Sequence, residues 1–124
     1  MFSHIMIGTN DLDRAKKFYD SVLGTLGIGP AVVDGHRIWY ITPKGIFSVS
    51  KPIDGKPATA ANGGTIGFAA GSTEQADAWH AAGIAAGGST CEDPPGVRSG
   101  NSGKMYLAYL RDPDGNKLCA MIRM

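Results

Sequence analysis

Cysteine is scarce in this sequence of 124 residues. Cys91 and Cys119 are the only two cysteines, and neither belongs to a Cys-x-x-Cys or Cys/His finger pattern. A structural zinc site needs several closely spaced ligands, and a small secreted scaffold needs several cysteine pairs. We therefore expect neither a zinc finger nor a disulfide framework.

An excess of charge of either sign is also lacking. The 12 Lys and Arg residues nearly balance the 11 Asp and Glu residues, which leaves a net charge of +1. The basic residues are scattered along the chain, whereas nucleic acids and anionic membranes are bound by clustered positive charge. Nucleic acid is therefore not an expected partner.

Long hydrophobic runs are absent as well. No apolar stretch approaches the length of a membrane span. The first residues (Met-Phe-Ser-His-Ile-Met-Ile-Gly) lack the basic segment and long apolar stretch that are typical of a signal peptide. These features predict a cytoplasmic protein without a membrane partner.

What is present is typical of one globular domain over residues 1–124. Apolar residues make up 43% and charged residues 19% of the chain. Glycine is the outlier, with 18 residues. Because glycine accepts backbone conformations that other residues avoid, this number predicts many turns between short strands.

The chain contains an internal repeat with an offset of 61 residues. Residues 4–9 align with 65–70 and residues 12–19 with 73–80, so that Phe18 falls on Trp79. The repeat predicts a first module over about 1–52, a linker over about 51–64 and a second module over about 65–124.

Each module has the pattern of a strand, a helix and further strands. Asp11 or Asn10 can cap the first helix, and Ser72 with Gln75 forms a capping box for the second. Predicted strands follow at 37–42, 45–50, 104–111 and 117–123, with a further one possible near 30–34. The glycine- and proline-rich segment 92–103 is predicted to be a long loop.

The predicted order, β-α-β-β-β twice, indicates an α+β fold. One helix per module must bury its apolar side against one face of a sheet. The other face is then free to curve around a cup-shaped cavity.

Several motifs resemble the vicinal oxygen chelate superfamily, which includes glyoxalase I, bleomycin resistance proteins and extradiol dioxygenases. The segments that carry the resemblance are His4-Ile-Met-Ile-Gly, Asp11-Leu-Asp-Arg-Ala, Phe18-Tyr19, Pro95-Gly-Val-Arg98 and residues 105–118 (Met-Tyr-Leu-Ala-Tyr-Leu-Arg-Asp-Pro-Asp-Gly-Asn-Lys-Leu). The resemblance covers nearly the whole chain. It implies two βαβββ modules forming curved mixed sheets.

The resemblance also implies where metal ligands would lie. In metal-using members two strand positions per module supply them, and here these positions hold His4, Ser48, Thr65 and Cys119. Divalent ions prefer imidazole and carboxylate ligands, so only His4 keeps a ligand type of the family. We predict a metal-free site. If a metal such as zinc, nickel or iron is bound, His4 and Cys119 are its candidate ligands.

The same four residues, with Trp39 and Tyr109, are the predicted substrate-binding residues. In dioxygenase-like members a tyrosine ten residues before the last ligand lines the site, and Tyr109 has this spacing to Cys119. Tyr40 and His36 are further candidates to line the cup. For each of these side chains ordinary packing is the alternative, and Cys119 in particular is typical of a small buried apolar residue.

Two functions follow from the resemblance. The first is a metal-free protein that binds or transforms a small metabolite. The alternative is a metal-dependent enzyme, either a lactoylglutathione lyase of the glyoxalase I type or a dioxygenase. The family also implies a homodimer in which two chains pair edge to edge or exchange modules, so that the cup is completed across the interface.

Overall fold

The computed structural model describes all 124 residues as two consecutive modules, each with one helix and one sheet. The first module consists of β1 (His4–Gly8), α1 (Leu12–Gly24), β2 (Val32–Asp34), β3 (Arg37–Thr42) and β4 (Gly45–Ser50). The second consists of β5 (Ile66–Ala69), α2 (Thr73–Ala85), β6 (Ser89–Thr90), β7 (Gly96–Gly100), β8 (Gly103–Arg111) and β9 (Lys117–Arg123). The predicted α+β class is confirmed.

The two sheets are mixed and neither closes into a barrel. The strand order is β1-β4-β3-β2 in the first sheet and β5-β9-β8-β6 in the second, where β7 also pairs with β8. In each sheet the first strand of the module runs parallel to the last, and the other pairs are antiparallel. β1 and β5 therefore each leave one edge without a strand partner.

The helices reproduce the predicted repeat. Both contain 13 residues, and their first residues, Leu12 and Thr73, are separated by the offset found in the sequence. Asp11 caps α1 by accepting a hydrogen bond from the Arg14 amide, and Ser72 caps α2 in the same way from Gln75. Neither helix is long and apolar enough to cross a membrane.

A single hydrophobic core joins the two modules. Both helices and the helix-facing sides of both sheets contribute to it, and Phe47 of β4 meets Phe68 of β5 at a ring distance of 5.3 Å. Burial of each large apolar side chain stabilises the fold by about 1.5–3 kcal/mol. The 16 buried members are Ala15, Phe18, Tyr19, Val22, Leu23, Ile38, Tyr40, Phe47, Val49, Ala70, Ala76, Trp79, Ala108, Leu110, Leu118 and Ala120.

The turn between β8 and β9, residues 112–116, fastens the second module to the first. Tyr19 donates a hydrogen bond of 2.6 Å to the buried Asp112 carboxylate, and Thr9 donates one of the same length to Asp114. Asn116 donates to the Gly8 carbonyl at 3.1 Å. The turn thus has a long-range role besides reversing the chain. We call it the inter-module turn.

The prediction of a loop over 92–103 was wrong in part. Gly96–Gly100 forms β7 and pairs with β8, and the turn that follows uses Gly103 at φ +103°. β7 is short and exposed, and Val97 is its only large apolar residue. An edge strand without a buried face lacks the alternation from which strands are recognised.

The linker between the modules, residues 51–64, contains no helix or strand. Asn10 holds it in place through two hydrogen bonds with the Ala58 backbone.

Candidate functional site

Each sheet has one face covered by the helices and one face that is not. Successive side chains of a strand point to opposite faces, so the residues between the core positions share the uncovered side. We call the uncovered side of the first sheet the first open face, and that of the second sheet the second open face. The predicted site residues fall on these two faces.

The first open face carries His4, Trp39 and Ser48. Trp39 and Ser48 are direct partners across β3 and β4, and Met6 of β1 lies on the other side of Ser48. The His4 and Trp39 rings are 6.2 Å apart and tilted by 58°. Ser48 is fully buried, and its hydroxyl donates a hydrogen bond of 2.8 Å to the Ile38 carbonyl. This face therefore combines an aromatic wall with a hydroxyl already engaged in a hydrogen bond.

The second open face repeats this arrangement. Tyr109 and Cys119 are direct partners across β8 and β9, as Trp39 and Ser48 are in the first sheet. Gly67 of β5 lies on the other side of Cys119, at the position that Met6 has in the first module. Thr65 is exposed and directly precedes β5. Ser48 and Cys119 thus take equivalent places in the two sheets, each between the first strand of its module and an aromatic residue.

The surroundings of the second open face keep the Cys119 thiol and the Tyr109 hydroxyl protonated. Burial, followed by the negative charge of Glu92, raises the pKa of the Cys119 thiol to about 11. Burial also raises the pKa of the Tyr109 hydroxyl above its ordinary value. At neutral pH Cys119 is thus a thiol and a poor nucleophile, while Tyr109 is a hydrogen-bond donor.

Three charged residues of the open faces were not among the site residues predicted from the sequence. Lys117 forms an ion pair with Glu92, and its ammonium lies 5.0 Å from the centre of the Tyr109 ring. The hydrogen bond to Glu92 raises the pKa of Lys117. Arg37 lies two residues before Trp39 and shares its face. Lys117 and Arg37 could have been found by counting two residues from Cys119 and Trp39 along each strand. Glu92 could not, because it follows β6 in a turn at φ +57°.

Two further candidates lie elsewhere. Tyr40 was expected to line the cup, but its side chain points to the core side of β3, where its hydroxyl donates a hydrogen bond of 2.8 Å to Asp20. The reason is the alternation of β3, in which Tyr40 follows Trp39 and so takes the opposite face. His36, also a candidate to line the cup, occupies the exposed turn between β2 and β3.

The two open faces do not meet within one chain. No Cα atom of the first sheet lies within 8 Å of a Cα atom of the second, and the helices pack against each other and against the inner sides of both sheets. His4, Trp39 and Ser48 are therefore one group, and Thr65, Tyr109 and Cys119 are another.

A separate cleft of about 800 Å³ opens between the modules. Its walls are mainly apolar and include Leu26, Phe47 and Phe68, with residues 1–3 at its rim. Of the six predicted site residues only His4 reaches it. The cleft thus lies apart from both the Trp39–Ser48 and the Tyr109–Cys119 pairs.

The family model of the Glyoxalase/Bleomycin resistance protein/Dioxygenase superfamily matches residues 1–120. The chain belongs to this superfamily. No curated protein matches this chain. It is similar to a glyoxalase/bleomycin resistance protein from Albidiferax ferrireducens T118, with 64% identity, a TM-score of 0.98 and 99% of both chains covered.

More distant structures share the superfamily fold. A glyoxalase-related enzyme from Fulvimarina pelagi has 17% identity and a TM-score of 0.74, with 98% of this chain and 86% of the other covered. A lactoylglutathione lyase from Agrobacterium tumefaciens has 21% identity and a TM-score of 0.66, with 98% and 92% covered. At these identities the likeness concerns the fold alone.

The residues at the superfamily's metal positions do not fit a divalent ion. His4 supplies one imidazole, Ser48 and Thr65 supply neutral hydroxyls, and Cys119 supplies a thiol whose raised pKa opposes the thiolate that zinc needs. Catalytic zinc normally has three protein ligands of imidazole, carboxylate or thiolate type. Nowhere in the chain do three His, Cys, Asp or Glu side chains form a group that could hold a metal ion.

Proposed function

We propose that this glyoxalase-like protein is a homodimer in which the first open face of one chain and the second open face of the other enclose a metal-independent cup for a small metabolite. The observation that carries the proposal is the pair of equivalent sites, Trp39 beside Ser48 and Tyr109 beside Cys119, with uncharged side chains where metal ligands stand in other members. The cup would bind its ligand between two aromatic walls.

The need for a second chain follows from the exposed surfaces. Each open face is half of a wall, and β1 and β5 each have an unpaired edge. On the first open face Met6, Val32 and Ile41 are 39%, 59% and 64% exposed. Apolar patches and free sheet edges are features that pairing with another chain removes. A symmetric dimer would complete two cups at once.

The chemistry within reach of such a cup is proton donation and orientation. Tyr109 can donate a hydrogen bond to a carbonyl oxygen, and the neighbouring Lys117 ammonium would favour negative charge there. Cys119 contributes a neutral thiol and apolar surface. We therefore propose binding as the primary role, and any turnover would use Tyr109 as the proton donor. Two free cysteines suit a reducing compartment, which supports the proposed cytoplasmic location.

A metal-dependent lyase is the competing function, since a lactoylglutathione lyase shares the fold. That reaction would need a polarising metal and a carboxylate that moves a proton. Ser48 and Cys119 occupy the positions where other members supply a carboxylate. The side chains of this cup thus favour the metal-independent function.

The two functions are separated by metal analysis and by a turnover assay. Protein purified without chelator is expected to contain far less than one zinc, nickel or iron per chain, and to show no chelator-sensitive turnover of methylglyoxal with glutathione. One tightly held metal per chain, or turnover abolished by chelator, would overturn the metal-independent cup.

Binding in the cup is measured with Nile red, a neutral dye whose emission rises in apolar surroundings. We expect saturable binding to the dimer that Trp39→Ala and Tyr109→Ala each weaken by roughly fivefold or more, since an aromatic wall contributes more than its area. Ile53→Ala is the matched control, because Ile53 is apolar, 88% exposed and outside both open faces. The proposal would be contradicted if Ile53→Ala weakened dye binding while Trp39→Ala and Tyr109→Ala left it unchanged.

A further inference from the structure

Arg37 differs from the other cationic side chains of the protein. It is half-buried, it takes part in none of the three ion pairs, and its guanidinium makes no hydrogen bond within the chain. Its Nε atom is buried without any partner. A buried donor without a partner destabilises the fold, because it has lost its hydrogen bond to water and has not gained one within the protein. Such a group needs an acceptor that the chain itself does not supply.

The other cations near the open faces are already engaged. Lys117 is paired with Glu92, and Arg111 donates to the Gly115 carbonyl at 2.8 Å. Arg98 donates to the carbonyls of Asp93 and Pro94. The remaining unpaired Lys and Arg side chains are exposed and therefore satisfied by water. Arg37 is thus the one cation that has a donor, its Nε, buried away from water and that is engaged by no acceptor of the chain.

The surroundings of Arg37 form a small recognition surface on the first open face. Trp39 lies two residues further along β3, with its side chain on the same face, and Ser50 is the partner of Arg37 in β4. Asp34 is the partner in β2, yet its carboxylate forms no ion pair with the guanidinium. His4 borders Trp39 on its other side. A cation with free donors therefore lies beside an aromatic ring, at the wall of the proposed cup.

We propose that Arg37 binds the carboxylate of the ligand, and that this ligand is an aromatic carboxylic acid whose ring packs against Trp39. This inference rests on the proposed cup and assigns its ligand class. The planar guanidinium fork matches a carboxylate with two parallel hydrogen bonds of about 2.7–2.9 Å. Only one free cation is present and Asp34 lies nearby, so a singly charged anion fits better than a phosphate dianion.

The test uses phenylacetate and its neutral counterpart phenylacetamide as probes. Isothermal titration calorimetry measures binding, because it also works in Trp39→Ala, whose remaining tryptophan, Trp79, is fully buried in the core. We expect phenylacetate to bind the wild-type dimer at least roughly tenfold more tightly than phenylacetamide, the range of a charge-assisted hydrogen bond. Inorganic phosphate is expected to compete weakly or not at all.

Variants assign the effect to the guanidinium. Arg37→Gln should weaken phenylacetate binding roughly tenfold and leave phenylacetamide unchanged, and Arg37→Lys should recover part of the loss. Asp34→Asn should tighten phenylacetate binding. Lys17→Gln is the matched control, since it also removes one positive charge but lies exposed on α1, and it should have no effect. Should Arg37→Gln fail to fold by circular dichroism, Arg37→Met keeps the aliphatic stem and gives the same comparison.

The outcomes distinguish the ligand class from the cup itself. Equal affinity for both probes, lost in Trp39→Ala, would overturn the carboxylate assignment and leave the cup standing. Loss of phenylacetate binding in Lys17→Gln as large as in Arg37→Gln would reduce the effect to net charge and overturn the assignment as well. Binding of neither these probes nor Nile red would overturn both proposals.

Discussion

The hydrogen bond between Tyr19 and Asp112 offers a direct test of how the two modules are held together. Tyr19 is fully buried in α1, and its hydroxyl donates to the carboxylate of Asp112 in the inter-module turn at 2.6 Å. Tyr19→Phe removes this one oxygen atom and keeps the ring. Asp112 retains its bonds from the backbone amides of Asp114 and Asn116 and from the Asn116 side chain.

The expected loss of unfolding free energy is about 1.5–3 kcal/mol, the range for a buried hydrogen bond to a charged group. Urea denaturation followed by circular dichroism measures it, with the denaturant slope required to stay constant. Tyr106→Phe is the matched control. Its hydroxyl also donates to a carboxylate, that of Asp77, at 2.6 Å, but this bond is exposed and should contribute less than about 1 kcal/mol.

A loss below about 0.5 kcal/mol for Tyr19→Phe, or one no larger than that of Tyr106→Phe, would contradict a stabilising bond between Tyr19 and Asp112. The pH dependence provides a second check. Burial, and then the Asp112 charge, raise the pKa of Tyr19 well above its ordinary value of 10.0. The contribution of the Tyr19 hydroxyl to the unfolding free energy is therefore complete below pH 10 and is lost as the pH rises further. The Tyr19→Phe variant should lack this part of the alkaline destabilisation.

Two other predictions concern thiol chemistry and packing. Because the pKa of Cys119 is raised to about 11, iodoacetamide at pH 8 should modify the more accessible Cys91 first, and modification of Cys119 should accelerate up to about pH 11. Equal rates for the two thiols at pH 8 would contradict the burial of Cys119. Gly88→Ala should lower the unfolding free energy by about 2 kcal/mol or more, because the added carbon would lie 2.6 Å from Phe18 and 2.9 Å from two backbone oxygens. Gly24→Ala, whose added carbon meets nothing within 4 Å, should be neutral or slightly stabilising, and similar losses in both variants would argue against the tight packing at Gly88.

The features that the sequence predicted well are those with local causes. Asp11 and Ser72 are helix caps whose side chains act within three residues, and the apolar residues of α1 follow the period of a helix. The repeat then identified β5 as the counterpart of β1 and α2 as the counterpart of α1. Alternation in a strand is also local and separates Trp39 from Tyr40, but which face lines a cup was implied only by the family resemblance.

What the sequence could not provide depends on contacts between distant segments. β7 has no buried face, so its pairing with β8 leaves no periodic signal. The role of Asp112 as an acceptor for Tyr19 spans two modules, and the turn motif alone gives no hint of it. Likewise, Glu92 joins the second open face through a turn rather than a strand, and the missing partner of Arg37 is visible only in three dimensions.

The separation of the two open faces within one chain has the largest functional consequence. The family resemblance placed His4, Ser48, Thr65 and Cys119 at the metal positions of the superfamily and implied a cup completed across a dimer interface. Within one chain, the shared core lies between the faces that carry Ser48 and Cys119. A cup that uses both faces then requires two chains, which is the central claim of the proposed function.

Subunit complementation tests this claim most directly. Trp39→Ala and Tyr109→Ala homodimers each have two defective cups, but a mixed dimer has one cup with both substitutions and one with neither. After subunit exchange at equal concentrations, we expect about a quarter of all cups to regain wild-type Nile red affinity. A mixture that binds only as the average of its two parents would contradict a cup shared between chains.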